Sequence, residues 1–329
     1  MADTSPSHSY PGGSVPQWQG RLRRKLAPLL GAWPEERVPL RVRTVWRRDH
    51  PLGTIEKIVF RSEPGADVPA FLCLPKGAAA PHRVMICLQG HTTGMHLSIG
   101  VERDDNHLSL PVEGDRDFGL SCLKNGFAAL CLEQRSFGER REQKQEKNAP
   151  HGCHDAAMRS LMLGRTLLGE RVFDVDRAID YLTTRSDVDL SRIGVMGNSG
   201  GGTVSIYAAA LLPRLAFAMP SCSFCTFRDS IMSIYHCADN YVPGLYPVAE
   251  MADILGLFAP KPVVIVAGRD DKIFPLRGTR HAFRNLQTIY SASGAPDRCQ
   301  LVVGKGGHRF YADDAWPVLH KLLGTTRQK

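Results

Sequence analysis

The residues Gly197-Asn198-Ser199-Gly200-Gly201 carry the clearest chemical signal in this chain. An apolar run precedes them at 193–196 and good helix formers follow at 205–212, so the serine is predicted to lie on a tight turn between a strand and a helix. Small neighbours let the two backbones pass, and the serine is held in an unfavourable backbone region at the positive end of the helix. This pattern predicts a nucleophile; the alternative is a glycine-rich turn that only ends a buried strand.

A serine nucleophile needs a base, because its hydroxyl reacts slowly near neutral pH, and the base needs an acid that orients it. In enzymes with such a turn, the acid and then the base follow the serine along the chain. His308 lies after the strand predicted at 299–303, and this position selects it as the base among 12 histidines. Asp270 and Asp271 both follow the strand predicted at 262–267. In enzymes with such a turn this loop usually has the form Gly-x-x-Asp-x-x-x-Pro, and counting from Gly268 and Pro275 favours Asp271 as the acid.

Two backbone N–H groups are predicted to stabilise the oxyanion that forms when the serine attacks a carbonyl group. One belongs to Gly200, directly after the serine, and the other to His91, in the loop Gln89-Gly90-His91 after the strand predicted at 83–88. Both donors are backbone groups, so the side chain at position 91 is not expected to matter for this role. The alternative for this loop is a plain turn out of the strand.

The order of the predicted elements places these residues in one α/β fold. Strands alternate with helices, which predicts a mostly parallel, doubly wound sheet with helices on both faces. A β-hairpin is predicted at 54–61 and 68–74, and a long helix at 156–184 with breaks at Gly164 and Gly169. Further strands are predicted at 128–132 and 215–220, and further helices at 17–30, 115–125, 276–286 and 314–323.

The chain is expected to divide into two parts. Residues 1–50 are predicted to form a partly flexible N-terminal arm with a short helix, and residues 51–329 the catalytic domain. Segments near 92–117 and 223–257 are predicted to be insertions that cap the active site. Specificity would depend on these capping segments, whose shapes the sequence does not give.

Composition limits the possible partners and locations. No apolar run approaches ~18 residues, which predicts no membrane span, and the N-terminus lacks a secretory signal pattern. Nine cysteines, several of them in apolar runs, suit a reducing cytoplasm. The net charge is +8, with basic residues clustered before residue 50. These are interpreted as a solvated face or a contact to an acidic partner rather than a nucleic-acid site, and the arm could mediate a homo-oligomer.

Two short patterns could suggest a metal and are not expected to bind one. Cys222 and Cys225 form a C-x-x-C, but no second pair lies at the spacing of a zinc ribbon. His151 and His154 lie three apart in a segment that reads as a loop. Neither pattern is needed for the chemistry above, so no metal and no organic cofactor is predicted.

From about residue 54 onward the chain resembles the α/β-hydrolase superfamily, and within it the branch of acetyl xylan esterases and dienelactone-hydrolase-like proteins. The motifs that carry the resemblance are Gln89-Gly90-His91, Phe137-Gly138-Glu139-Arg140, Gly197-Asn198-Ser199-Gly200-Gly201, the loops 268–275 and 306–308, the runs 163–169 and 176–182, His236-Cys237 and 240–244. Relatives usually have His-Gly-His or His-Gly-Tyr where this chain has Gln89-Gly90-His91. The nucleophile is serine, unlike the cysteine of true dienelactone hydrolases.

The resemblance implies a serine hydrolase that cleaves a small-molecule carboxylic ester through an acyl-enzyme, and the cysteine usage predicts a cytoplasmic location. An acetyl ester of a sugar or of a small natural product is the favoured substrate. The alternatives are a serine peptidase or amidase and a carbon–carbon bond hydrolase, since the same fold hosts them. In the remaining alternative, the chain is a non-catalytic binding or scaffold protein that acts through its basic N-terminal arm.

Overall fold

The computed structural model describes residues 5–91, 93–141 and 153–325. Its strands are β1 (Arg43–His50), β2 (Gly53–Glu63), β3 (Ala66–Pro75), β4 (His82–Leu88), β5 (Ala128–Leu132), β6 (Val188–Asn198), β7 (Phe217–Ser221), β8 (Val263–Gly268) and β9 (Cys299–Gly304). They form one sheet in the order β1-β2-β3-β5-β4-β6-β7-β8-β9. Neighbouring strands are antiparallel in the series β1-β2-β3-β5 and parallel in the series β5-β4-β6-β7-β8-β9. The prediction of a mostly parallel α/β sheet is confirmed.

Helices cover both faces of the sheet. They are α1 (Val15–Leu29), α2 (Phe118–Lys124), α3 (Cys153–Met162), α4 (Leu167–Thr183), α5 (Gly200–Leu211), α6 (Met251–Gly256), α7 (Leu276–Ala292) and α8 (Ala312–Leu322). Strand side chains alternate between the faces. In β4, Val84 and Ile86 enter the core beneath α1, α4 and α5, whereas Met85 and Cys87 enter the core beneath α2 and α8. Continuous apolar strands therefore fill two cores, as a sheet buried on both sides requires.

The long helix predicted at 156–184 is two helices, α3 and α4. The predicted break at Gly164 is confirmed, because Gly164 lies between them with a φ of +69°. The predicted break at Gly169 is wrong. Gly169 is in the first turn of α4, where an added Cβ would lie 2.2 Å from the Leu30 carbonyl oxygen. This glycine allows close packing rather than ending a helix, and a sequence pattern does not distinguish the two uses.

From residue 5 onward, the N-terminal segment packs against the rest of the structure. The predicted helix is confirmed as α1, whose side chains Trp18, Leu22 and Leu26 lie in the core beneath α1, α4 and α5. Residues 43–50, which we expected to precede the catalytic domain, form its edge strand β1 and pair with β2. A boundary at residue 50 therefore does not separate an arm from the sheet.

Two further observations concern the predictions about metals and membranes. His151 lies outside the described residues, and His154 is exposed in α3 beside Asp155. Cys222 and Cys225 each donate a hydrogen bond to a different backbone carbonyl, that of Arg309 and that of Pro275.

Among the described residues, no helix has the length and the apolar character needed to cross a bilayer.

Candidate active site

Ser199 lies at the turn between β6 and α5. Its backbone has a φ of 55° and a ψ of −121°, a left-handed conformation that a non-glycine residue adopts only at a cost of about 1–3 kcal/mol. The Ser199 N–H donates to the Ser221 carbonyl at 2.9 Å, which ties the turn to the neighbouring strand β7. The strained turn predicted from the sequence is present, and it points the hydroxyl out of the sheet at the start of α5.

The glycines around Ser199 are required because α5 passes very close to β4. A Cβ added to Gly201 would lie 2.1 Å from the Leu88 carbonyl oxygen. A Cβ added to Gly200 would instead lie 2.6 Å from the His91 ring. The two neighbouring glycines therefore meet different surroundings, one the backbone of β4 and the other a side chain of the site.

Asp271 and His308 are brought together by two strands in register. β8 and β9 pair in parallel up to Gly268 and Gly304, and the loops that follow remain joined by backbone hydrogen bonds. Asp271 Oδ2 then lies 2.8 Å from His308 Nδ1. The His308 ring stacks on the Phe274 ring with a centroid distance of 6.0 Å. This contact and the hydrogen bond fix the orientation of the imidazole.

Asp271 is held as a buried carboxylate. Burial would raise its pKa, but the His308 ring and the N–H groups of Ile273 and Phe274, at 2.8 and 3.1 Å from Oδ1, hold the pKa below its ordinary value. Asp270 has a side chain that is 59% exposed and pairs with Arg269. The structure thus places Asp271, and not Asp270, against His308.

Ser199 and His308 line one cavity of about 360 Å³. Its walls are Gly90, His91, Arg116, Asn198, Ile234, Tyr235, His236, Cys237 and Ile273. Residues 234–237 belong to the segment predicted to cap the site. Among the described residues, His308 is hydrogen-bonded to Asp271, and the Ser199 hydroxyl forms no hydrogen bond with the His308 ring. Such contacts are often long in unliganded enzymes and tighten when substrate is bound.

The His91 side chain also lies in this site, although only its backbone N–H was predicted to take part. Its ring lies on Gly200, and its Nε2 lies 2.7 Å from Asp239 Oδ1. Asp239 in turn pairs with the buried guanidinium of Arg171, which lies over the Phe137 ring. Burial lowers the pKa of His91, but the Asp239 carboxylate outweighs this and raises that pKa to about 9.

Gln89 anchors the loop that carries His91. Its side-chain amide donates to Ser98 Oγ at 2.8 Å and to the Arg116 carbonyl at 2.7 Å. The Gln134 side chain donates to the Gln89 carbonyl at 2.5 Å. The glutamine at the position where relatives usually have histidine thus holds its loop by amide hydrogen bonds, so the departure in sequence leaves the loop well anchored.

Sequence reasoning assigned no role to Cys153, Asp239 or Arg171, and Cys237 appeared only in the motif His236-Cys237. Cys153, Cys237 and Asp239 lie beside the His91 ring, and Arg171 pairs with Asp239. Arg171 and Asp239 are 68 positions apart, and Asp239 and His91 are 148 apart. No local pattern connects residues at such distances. The alternating spacing of Cys237 and Asp239 is too common to indicate a site, and the motif His236-Cys237 indicated a resemblance to a family rather than a cluster of side chains.

A serine strained into a left-handed turn above a doubly wound sheet is the arrangement that defines the α/β-hydrolases, and this chain is one of them. A sequence model of the acetyl xylan esterase family matches residues 47–242, more than half of the 329 residues. The chain belongs to the acetyl xylan esterase family, and it is a carboxylic ester hydrolase.

Individual proteins agree with this assignment. The chain is 27% identical to YtaP of Bacillus subtilis, which is named as a hydrolase, over 87% of this chain and 92% of that protein. Its structure is similar to that of a Bacteroides fragilis protein named as an acetyl xylan esterase, with a TM-score of 0.76, 16% identity, and coverage of 92% and 79%. It is also similar to a glucuronoyl esterase from Solibacter usitatus, with a TM-score of 0.70, 17% identity, and coverage of 98% and 97%. At these identities the solved structures support the fold.

Proposed function

We propose that the Ser199 hydroxyl attacks the carbonyl carbon of a carboxylic ester while His308 takes the proton from that hydroxyl. Asp271 holds the His308 tautomer and stabilises the imidazolium that forms. The alcohol leaves with a proton from His308, and water then releases the acyl group by the same route. The observation that supports these roles best is that the strained serine lines one cavity with His308, whose ring is hydrogen-bonded to the buried Asp271.

The oxyanion is assigned to two backbone donors, the N–H groups of Gly200 and His91. Gly200 is the first residue of α5, so its N–H belongs to the first turn of that helix and has no intrahelical acceptor. The His91 loop is packed against the serine, because a Cβ added to Gly90 would lie 3.2 Å from Ser199 Cβ. Preorganised donors of this kind typically contribute ~10²–10³-fold to turnover.

The favoured substrate is an acetyl ester of a sugar or of a similar polyhydroxylated small molecule. Family membership supports this class, and the cavity volume of about 360 Å³ suits a small ligand. Tyr235 is 83% exposed at the cavity, where an aromatic ring could stack on a sugar. Cytoplasmic location, self-association and the absence of nucleic-acid binding stay predictions from the sequence.

The direct test is turnover of p-nitrophenyl acetate with labelling by a fluorophosphonate. Wild type should hydrolyse the ester and take one label per chain. Ser199→Ala should lose about 10⁶-fold in kcat, down to background, and take no label. Ser191→Ala is the matched control, because Ser191 is an exposed serine on the same strand, and it should behave as wild type.

A panel of acetylated sugars, longer acyl esters and dipeptides then distinguishes the substrate classes. Acetylated sugars are expected to give the highest kcat/KM. Faster cleavage of peptide bonds than of any ester would overturn the proposal in favour of an amidase. No turnover together with no label would favour a binding protein.

A further inference from the structure

A second group of reactive side chains lies beside the serine and has no role in the proposed reaction. His91, Cys153, Cys237 and Asp239 each present a donor atom, and these four atoms lie within 4.8 Å of one another. They come from three parts of the chain, namely the loop after β4, the first residue of α3, and the turn around residues 238–240. Cys153 is fully buried, and the side chains of Asp239 and His91 are only 2% and 10% exposed.

The donor types match one kind of ligand. Thiolate, imidazole and carboxylate are all ligands of tetrahedral zinc, and thiolate and imidazole are preferred in structural sites. Ligand atoms around such an ion lie about 3.3–3.8 Å apart, given bond lengths of ~2.0–2.3 Å. Donor atoms within 4.8 Å of one another need only small movements to surround an ion. The His91 Nε2–Asp239 contact of 2.7 Å would open as the ion enters, and the His91 ring would release its proton.

Charge also balances at this place. Arg171 bonds Asp239 Oδ2, and its Nε and Nη2 donate to the Arg135 carbonyl at 3.1 and 2.8 Å. Two thiolates and the carboxylate carry three negative charges, and a divalent ion with the guanidinium carries three positive charges. A buried site of this composition is neutral overall, which avoids the cost of an uncompensated charge. Arg171 would then act as the outer partner that orients a ligand carboxylate.

We propose that His91, Cys153, Cys237 and Asp239 form a structural zinc site in the wall of the active-site cavity. His91 and Cys237 line the cavity, so the ion can enter through it. Four protein ligands leave no open coordination position, so the ion would supply rigidity and no chemistry. The ion would join α3 and the capping segment at 223–257 to the loop that contains His91, whose backbone N–H is the proposed oxyanion donor. This inference does not depend on the proposed substrate.

Metal binding tests the site without any measurement of activity. Full-length protein is freed of metal with a chelator under a phosphine reductant and titrated with Zn²⁺ by calorimetry. We expect one ion per chain with a Kd below ~1 µM. Titration with Co²⁺ should give the thiolate-to-cobalt charge-transfer absorption with the intensity of two thiolates. This spectrum is recorded on wild type, so the test does not rely on any variant folding.

Variants then assign the ligands. Cys153→Ser and Cys237→Ser should each halve the charge-transfer absorption and weaken Zn²⁺ binding at least tenfold. Cys299→Ala is the matched control, because Cys299 is also a buried cysteine but lies in β9, and it should bind as wild type does. Co²⁺ bound without charge-transfer absorption, or Zn²⁺ affinity unchanged in both serine variants, would overturn the proposal. A Cys153–Cys237 disulfide that forms in air, in a protein that binds no ion when reduced, would also overturn it and make the pair a redox site.

Discussion

Asp270 and Asp271 are neighbours of the same residue type with opposite surroundings. Asp270 is exposed beside Arg269, whereas Asp271 is buried and accepts hydrogen bonds from His308 and two backbone N–H groups. Residue type alone therefore cannot separate them. The loop form Gly-x-x-Asp-x-x-x-Pro that is usual in this fold did favour Asp271, and the structure agrees, because Asp271 is the one whose carboxylate reaches His308.

Substituting each aspartate by asparagine tests the role of Asp271. Asp271→Asn should keep the fold but lower kcat by about 10⁴-fold, because an amide favours the wrong tautomer of His308. Asp270→Asn should stay within about twofold of wild type. The measurement is kcat for p-nitrophenyl acetate, with the far-ultraviolet circular dichroism of both variants as the check on folding. An equal loss in the two variants would contradict the assignment.

At the scale of elements, the junction of β6 and α5 depends on two glycines for different reasons. Gly201→Ala places a methyl group 2.1 Å from a carbonyl oxygen of β4, and backbone cannot move aside cheaply. Gly200→Ala places it against the His91 ring, which can shift. We expect Gly201→Ala to lower the unfolding midpoint or the soluble yield strongly.

We expect Gly200→Ala to fold near normally but to lose about 10- to 100-fold in kcat, because a displaced His91 loop misplaces an oxyanion donor. Urea denaturation and kcat of the two variants, measured side by side, separate these effects. Combining Gly200→Ala with His91→Ala should make the added methyl group harmless. If Gly200→Ala costs as much in the His91→Ala background as in wild type, the contact is not the cause.

The loop after β5 contains a buried acid that links stability to pH. Glu133 accepts hydrogen bonds from the Met95 and Glu139 N–H groups at 3.1 and 3.0 Å, yet burial raises its pKa from 4.5 to about 7. Arg140 opposes this shift and Glu139 adds to it. The folded state therefore binds the proton more tightly than the unfolded chain. The stabilisation that comes from protonated Glu133 is complete below pH ~4.5 and is lost as the pH rises through about 7.

Glu133→Gln removes this titration while keeping the shape of the side chain. Between pH 5 and 8, wild type should lose stability relative to the variant by at most about 3 kcal/mol, since one pKa unit corresponds to 1.36 kcal/mol. Urea unfolding of both proteins across this pH range measures the difference. Hydrogen bonds lost in the variant would shift its free energy of unfolding by the same amount at every pH. The prediction is therefore contradicted only if the free energies of unfolding of wild type and variant change in parallel with pH.

The sequence predicted elements wherever a local pattern determines them. β4 and β8 are continuous apolar runs, and the Gly164 break has the positive φ of a turn residue. Gly169 was misjudged because the contact that requires a glycine comes from Leu30, far away in the chain. The same limit applies to the site. Ser199 could be predicted from its turn, but the pairing of His91 with Asp239 depends on how the capping segment folds back.

At the scale of the whole molecule, the N-terminal residues belong to the core. Trp18 is 2% exposed, and its Nε1–H donates to the His8 carbonyl at 2.8 Å. The Ser9 hydroxyl and the Tyr10 N–H donate to the carboxylate of Asp253 in α6, which ties this segment to that helix. The sequence of this region is rich in proline, glycine and serine, so composition alone predicted a loose arm. Its anchoring comes from contacts to α6, which composition does not show.

Trp18→Ala tests whether this region stabilises the catalytic domain. Removing the ring from the contact with α6 leaves a cavity, and such substitutions cost ~3–5 kcal/mol. The urea midpoint of the whole enzyme should fall, and the loss of esterase activity should follow the same transition as the loss of fluorescence from the remaining tryptophans. Lys25→Ala on the exposed side of α1 is the control and should shift stability by no more than ~0.5 kcal/mol. A Trp18→Ala protein that loses activity at the wild-type urea concentration would mean that the N-terminal segment is a separable arm, as composition had suggested.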